Sequence, residues 1–436
     1  MNTEQELRSY FQEKYSSLTS GLNGEQTADL SQLRHKALDS FNSLGFPQNK
    51  SEEYKYTPIT KTLLKSLRTD DHQVMEPQTV PPFNEYLLPN LKGHLVVFWN
   101  GRLVYCTDDL PQGLSIEPID PQGNSLAESG IGTIANYQKD AFTALNTALF
   151  NHGAFIKVAK RSVIEEPVVL YHLWDDRANY MQTRHLVTAE ANSHSQVVEI
   201  YKCTSGTKNT FHNSVTEVTV GKNAHFSYHK VQTECGENIH VGNTHISQAS
   251  DSTVKCTTIT TEGRMVRNNL NLTVDGSNCE SHMYGLYLLH GTNHVDNHTR
   301  VDHRLPHCYS NELYKGIIND RAAGVFNGKI FVRQDAQKTN AFQSNKNLLL
   351  SDHASMNTKP QLEIWADDVK CSHGATTGQL DEEQLFYLRA RGLDKQQARS
   401  LLLYAFAQET LEQVTSPVLK DYLDQVIQAR LIEDHG

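Results

Sequence analysis

Apolar and polar positions change their period twice along this chain of 436 residues. Residues 4 to 45 read as helices. Leu30, Leu33, Ala37, Phe41 and Leu44 fall on one helical stripe, and Gly45, Phe46 and Pro47 end it. Residues 58 to 150 are mixed, with Pro81–Pro82 and Pro111 as punctuation. Within them HLVVFWNGRLVY, 94 to 105, predicts a hairpin turning at Asn100–Gly101. Residues 134 to 153 predict a helix stopped by Gly153.

From about Phe155 to Val369 the helical period nearly vanishes. Short alternating segments follow one another, among them VVLYHLW, QVVEIYKC, HFSYHKVQ, STVKCTTIT and SHMYGLYLL. They carry the β-branched and aromatic residues that strands favour. A weak internal repeat aligns Asn192, Asn223, Asp251 and Asn278, at successive spacings of 31, 28 and 27 residues. Strands repeating at this period fit a β-helix, in which each coil buries its apolar side only by stacking on its neighbours. A β-sandwich also yields strands separated by turns.

The chain turns helical again after residue 380. Asp381 with Gln384, and Asp394 with Gln397, are capping-box patterns, and Gly392 separates the two helices. Ala398, Leu401, Leu402 and Ala405 define one face of the second helix, but Leu403, Tyr404 and Phe406 widen its apolar surface. Such a helix must be covered by something else, and the β-helix on one side and a partner protein on the other are the candidates. Pro417 opens a last amphipathic helix containing Leu423, Ile427 and Leu431. The expected fold is mainly β: a parallel β-helix over residues 155–375, preceded by a helical and mixed region, 1–154, and followed by a helical region, 376–436.

Composition narrows the function. Hydrophobic residues make up 38%, enough for a large core. The net charge of −10 and the dispersed basic residues argue against a nucleic-acid partner. No apolar run approaches the ~20 residues of a membrane span. MNTEQELRSYFQEKY is too polar and acidic for a secretory signal, so a cytoplasmic chain without membrane association is expected. The seven cysteines, at 106, 203, 235, 256, 279, 308 and 371, form no C-x-x-C pair. They fit a reduced protein better than a disulfide framework.

The candidate chemistry centres on Cys371 and His373. Two residues apart in a strand, they project from one face. A thiolate beside an imidazole suits a soft or borderline metal. Zinc or an iron–sulfur cluster usually takes four ligands, so a second chain would have to complete the site. The plainer reading is a buried cysteine acting as a small hydrophobe beside a structural histidine. Asp367 and Asp368 are candidate oxygen ligands, but solvated turn residues is the preferred reading. His282, His290, His294, His298, His303 and His307, with Asp296, Asp302 and Cys308, look like a metal cluster on paper. They match no zinc-finger spacing and no H-E-x-x-H helix, and on a solenoid they fall on different faces and coils. No phosphate-binding glycine loop and no G-x-S-x-G elbow is present. A β-helical carbohydrate-active enzyme is the rival reading, weakened because such enzymes are mostly secreted. An inert structural scaffold is the third.

Four blocks carry a family resemblance: GFPQNKSEEYKYT (45–57), DNHTRVDHRLPHCYSNELYKGIIND (296–320), AQKTNAFQSNKNLLLS (336–351) and KPQLEIWADDVKCSHGATTGQLDEEQLFYLRARGL (359–393). They resemble the SufB/SufD family, the scaffold proteins of the Suf iron–sulfur cluster assembly system. The Cys-Ser-His-Gly version is similar to the SufD branch; SufB typically carries Cys-Glu-His-Glu. The resemblance implies a right-handed parallel β-helix and a non-catalytic scaffold subunit. It implies partnership with SufB and with the ATPase SufC, and a homodimer when the chain is alone. It implies SufC docking on the C-terminal helices, with Leu385, Phe386, Leu388, Arg389, Leu402 and Phe406 as contact candidates. It places Cys371 and His373 at the SufB interface as candidate ligands for iron or a nascent cluster. No cofactor would be stably bound to the isolated chain; iron or a cluster would be held transiently in the complex.

Overall fold

The structure, a computed structural model, describes residues 3–22, 27–69, 82–119, 130–204, 209–234 and 236–433. Pro81 and Cys235 lie outside the described residues. Helices α1 (Glu4–Gly21), α2 (Ala28–Leu44) and α3 (Ile59–Ser66) come first. Strands β1 (His94–Trp99), β2 (Arg102–Cys106) and β3 (Leu114–Ile119) follow, then α4 (Ala141–Leu149).

The centre is a parallel β-solenoid of about eight turns. Its coils pair β4 (His152–Val158) with β5 (Val168–Trp174), β6 (Tyr180–Ala189) with β7 (His194–Cys203), β8 (Phe211–Val220) with β9 (His225–Thr233), and β10 (Ile239–Gln248) with β11 (Thr253–Glu262). They continue with β12 (Met265–Val274) and β13 (Glu280–Leu289), β14 (His294–His303) and β15 (Tyr309–Ile318), β16 (Ala323–Val332) and β17 (Asn340–Leu349), and β18 (Ser355–Ile364) and β19 (Lys370–Gly378). Even-numbered strands stack into one sheet and odd-numbered strands into the other. Three helices close the chain: α5 (Glu382–Ala390), α6 (Lys395–Leu411) and α7 (Pro417–Glu433).

The weak sequence repeat is a turn. Asn192, Asn223, Asp251 and Asn278 all have left-handed backbone, with φ of 59°, 54°, 64° and 57°. Asn and Asp visit this region at least cost among side-chain-bearing residues. Their backbone N–H groups donate to the next coil, Asn192 to Lys222 O, Asn223 to Ser250 O and Asp251 to Ser277 O, each at 2.9 Å. The Asn223 side chain also donates to Asn192 Oδ1 at 2.9 Å. His307 and Lys338 continue the same column at φ 63° and 61°. The repeat therefore runs on past the point where asparagine marks it.

Three apolar layers hold the body together. The solenoid interior is packed by residues such as Val168, Val197, Phe226, Val254, Met283 and Phe326. The outer face of the odd-strand sheet buries Ile200, Val231, Ile259 and Leu286 against Leu403, Ala407, Leu423 and Ile427 of α6 and α7. The outer face of the even-strand sheet buries Phe211, Ile239 and Val241 against the N-terminal helices. Burial on both faces explains the apolar character of β5, whose every residue, including His172, is buried.

Several local expectations change. The hairpin at Asn100–Gly101 forms, with both residues at positive φ, but its strands do not stand apart. β1 runs parallel to β5 and β3 antiparallel to β4, so residues 94–119 extend both sheets at the N-terminal end. The helix expected over 134–153 is confined to α4. Residues 132–135 are held as a loop because the Glu217 carboxylate accepts from the N–H groups of Gly132, Ile134 and Ala135 at 2.8–2.9 Å. Gly153 does not stop the helix. It lies in β4, where a Cβ would come 1.6 Å from the Arg184 carbonyl oxygen. Leu44 is exposed although it continues the α2 stripe. Of the expected face of α6, Ala398 is buried and Leu402 half-buried, but Leu401 and Ala405 face outward, and Leu403, Ala407 and Leu411 are buried instead. The sheet selects this face, because α6 must also meet α7. Cys203 is disulfide-bonded, in contrast to the fully reduced chain expected; Cys106, Cys256, Cys279, Cys308 and Cys371 are free.

Candidate functional site

The C-terminal end of the solenoid is open. β19 terminates the odd-strand sheet and β18 the even-strand sheet, each paired on one side only. Helices α5–α7 lie against the flank and leave this end bare. The inward residues of β17, Ala341, Gln343, Asn345 and Asn347, are all buried by the last coil. In β19 the same positions are Cys371, His373, Ala375 and Thr377, in parallel register with them. Cys371 is half-buried and the other three are exposed. Cys371 and His373 do share the inward face of one strand, on the edge where backbone groups await a partner.

The two side chains meet different surroundings. Cys371 packs on the solenoid interior. Burial pushes its thiol up from the ordinary value, and a backbone hydrogen bond at Ala341 only partly offsets this. In the isolated chain it is a thiol rather than a thiolate. A bound metal or a neighbouring cation would make it a ligand. His373 stands one coil beyond Gln343, whose Nε2 donates to Glu312 Oε2 at 2.6 Å. Glu312 is fully buried, which raises its carboxyl to about 7. His373 thus caps a polar column within the solenoid. Among the described residues, no further His, Cys, Asp or Glu groups with Cys371 and His373 in a set able to close on one ion. Two such side chains are fewer than the four ligands a cluster usually takes.

Asp367 and Asp368 lie exposed in the turn before β19. Asp368 pairs with Lys338, and its N–H donates to Gln337 Oε1 at 2.9 Å. These are turn contacts. The histidines between 282 and 307 spread over separate places. His298 bridges Asp296 (3.0 Å) and Glu53 (3.3 Å), and His303 Nε2 meets Ser310 Oγ at 2.9 Å. Cys308 is buried with its sulfur 3.3 Å from Gly276 O, away from the open end.

Residues 45–57 act as a strap that spacing alone did not locate. They cross the outer face of the even-strand sheet near its open end. Glu53 pairs with Lys329 at 2.5 Å, Glu52 pairs with Lys359, and Arg267 Nη1 donates to Glu53 O at 2.7 Å. Thr57 donates to Asp296, itself paired with Arg267 at 2.5 Å. The clustered charge of SEEYK was the available signal.

Residues 172–406 match the SufBD core domain of the SUF system for FeS cluster assembly, and residues 1–170 match the SufBD protein N-terminal region. The chain belongs to the SufBD family. Its role is in iron–sulfur cluster assembly. A SufBD family protein of Synechocystis is 33% identical over 94% of this chain and 93% of its own length. The SufD protein of Escherichia coli is 30% identical over 89% of this chain and 90% of its own. A chloroplastic protein of Arabidopsis thaliana, ABCI7, is 27% identical over 90% and 84%.

In this SufBD chain the C-terminal helices divide the six partner-contact candidates. Leu385 is buried, and Leu388, Leu402 and Phe406 are half-buried. Lys315 Nζ lies 4.4 Å from the Phe406 ring centre and donates to its carbonyl at 2.9 Å, tying that residue to the sheet. Phe386 is 73% exposed and its neighbour Tyr387 58%, with Arg389 exposed beside them. Among the described residues, no helix is long and apolar enough to cross a membrane.

Proposed function

We propose that this chain is a non-catalytic scaffold subunit of a cytoplasmic SufB–SufC–SufD-type complex. It supports iron acquisition and nascent cluster assembly at an interface with SufB. The observation that carries the reading is the open end of the solenoid: a half-buried thiol and an exposed imidazole, on one strand face, at an edge that another chain can extend. Iron or the nascent cluster is the cargo, held transiently, with the remaining ligands from SufB. SufC supplies the ATPase activity and docks on α5 and α6, where Phe386 and Tyr387 are uncovered. ATP-driven movement of SufC pulls these helices and opens the interface. Alone, the chain pairs with a second copy through the same end.

The test is co-expression with SufB and SufC, followed by iron and sulfide analysis of the purified complex. Cys371→Ser and His373→Ala are compared with wild type. Ser keeps the size but lacks a thiolate at neutral pH, and Ala has no lone pair to donate. Lower iron in complexes of normal composition supports the reading. Wild-type iron in both variants makes the pair structural and overturns the assignment.

A further inference from the structure

At the opposite end of the solenoid three buried side chains converge that nothing above has used. His172 lies on β5, Glu199 on β7 one coil further, and His185 on β6 across the interior. All three point inward and are at most 2% exposed. One potential ligand atom from each lies within 4.8 Å of the other two. We propose that His172, His185 and Glu199 form a binding site for a divalent first-row transition-metal ion. The inference does not depend on the cluster-assembly reading of Cys371 and His373.

Two independent features point to a ligand. The first is the donor set. Two imidazoles and one carboxylate match ions such as Fe(II), Co(II) and Zn(II), and leave coordination positions open. The second is the state of the rings. Neither nitrogen of His172 and neither nitrogen of His185 has a hydrogen-bond partner. Buried polar groups are almost always paired, so four orphan nitrogens on two adjacent rings mark a place prepared for something else. The contacts of the rings are aromatic instead. His172 is sandwiched in parallel between Phe98, with ring centres 5.0 Å apart, and Tyr201, at 4.4 Å. The His172 and His185 ring centres are 5.1 Å apart.

Glu199 is the anchored member. Its oxygens accept from Thr216 Oγ1 at 2.7 Å, Tyr201 Oη at 3.0 Å and Tyr228 Oη at 2.5 Å. Such outer contacts orient a ligating carboxylate. Metal–nitrogen and metal–oxygen bonds of about 2.1 Å bring neighbouring ligand atoms to about 3 Å, so the triad must close by an ångström or more. No hydrogen bond tethers either imidazole against that movement. Lys230, whose Nζ is 3.8 Å from Glu199, now supplies the positive charge beside the carboxylate, and a metal would take over that role.

The experiment uses the full chain without a metal-binding tag, stripped by chelator. Co(II) is added to the native protein and, separately, during refolding. Imidazole and carboxylate ligation gives visible d–d bands without the near-ultraviolet charge-transfer band of a cobalt thiolate, which separates this site from one at a cysteine. The expected result is one such Co(II) per chain, a raised Tm, and at least tenfold weaker binding in His172→Gln and His185→Asn. Should a variant fail to fold, the wild-type stoichiometry and spectrum decide. No bound Co(II) in either preparation, Co(II) with only a thiolate spectrum, or unchanged affinity in folded variants overturns the site.

Discussion

His373 and Gln343 occupy the same inward position on successive coils, yet Gln343 is buried and His373 is exposed. Gln343 has a further strand beside it, and His373 does not. The exposure of His373 therefore follows from where the stacking stops, rather than from any special geometry of the strand. An exposed imidazole contributes little to folding. His373→Ala should leave the Tm of the isolated chain almost unchanged, with a stability change of about 0.5 kcal/mol or less by thermal or denaturant unfolding. A loss of several degrees would mean that the side chain is holding the last coil.

Glu312, two coils inside His373, should make stability depend on pH. Its carboxyl is raised to about 7 by burial, above the ~4.3 of an unfolded glutamate. A raised folded value favours the protonated form. The associated stability is fully present below the unfolded value and is lost as pH rises through about 7. Glu312→Gln keeps the shape and cannot ionise. Its Tm advantage over wild type should therefore grow between pH 5 and pH 8. An equal difference at both values would contradict the burial argument.

The strap at residues 52–57 should respond in the opposite sense. Glu53 is lowered to about 2, first by its hydrogen bond to His298, against which burial acts, and then by Lys329. A depressed carboxylate stabilises above its unfolded value of ~4.3 and loses that contribution as pH falls toward the folded one. Hydrogen-exchange protection factors in residues 50–57, corrected for the intrinsic pH dependence, should fall from about pH 4 downward, ahead of those in the solenoid strands. The ion pairs are partly exposed, so high salt should have a similar but weaker effect.

The fold was largely legible in the sequence because a solenoid repeats its errors as well as its signals. Strand alternation and the left-handed turn at Asn192, Asn223, Asp251 and Asn278 gave the coil length. The column at His307 and Lys338 is not legible from the asparagine and aspartate that mark the earlier coils, since neither residue repeats them. The start of α4 is set locally by Asp140, whose side chain accepts from Thr143 N–H at 2.7 Å, whereas the loop at 132–135 was illegible because it is held by Glu217, some eighty residues away, whose carboxylate gathers three backbone N–H groups. The face of α6 was misassigned because two neighbours compete for it and its apolar residues surround the axis. Cys371 and His373 could be placed on one face from their spacing alone. That this face belongs to the final, uncovered coil could not be read from spacing.

Arg184 and Glu217 form a buried ion pair on the outer face of the even-strand sheet, beneath α4. Arg184 also donates to Asn146 Oδ1 at 3.2 Å and Thr147 Oγ1 at 3.1 Å. Glu217→Ala strands the guanidinium and frees the three backbone donors that shape residues 132–135. Breaking such a pair by removing one partner costs about 3–5 kcal/mol. The expected outcome is a large fall in denaturation midpoint with α4 detaching early, read by hydrogen exchange. A change under ~1 kcal/mol would show that water replaces the carboxylate without cost.

Phe386 and Tyr387 are two adjacent, exposed aromatic residues on a helix whose other side, through Leu385, is buried. A solvated protein gains nothing by presenting two adjacent aromatic rings at the end of a capped helix. Asp381 fixes that helix by accepting from Glu383 N–H at 2.8 Å and Gln384 N–H at 3.3 Å, so the rings are held outward rather than free to fold back. Pre-ordered aromatics are the type of residue that anchors an interface. Phe386→Asp should therefore reduce SufC recovered with the chain by tenfold or more, while circular dichroism and Tm stay at wild-type values because the side chain is exposed. Leu385→Asp is the contrasting variant: it should lower Tm, since its side chain is packed. If Phe386→Asp retains SufC at wild-type stoichiometry, the docking surface lies elsewhere, and the half-buried Leu402 side of α6 becomes the next face to probe.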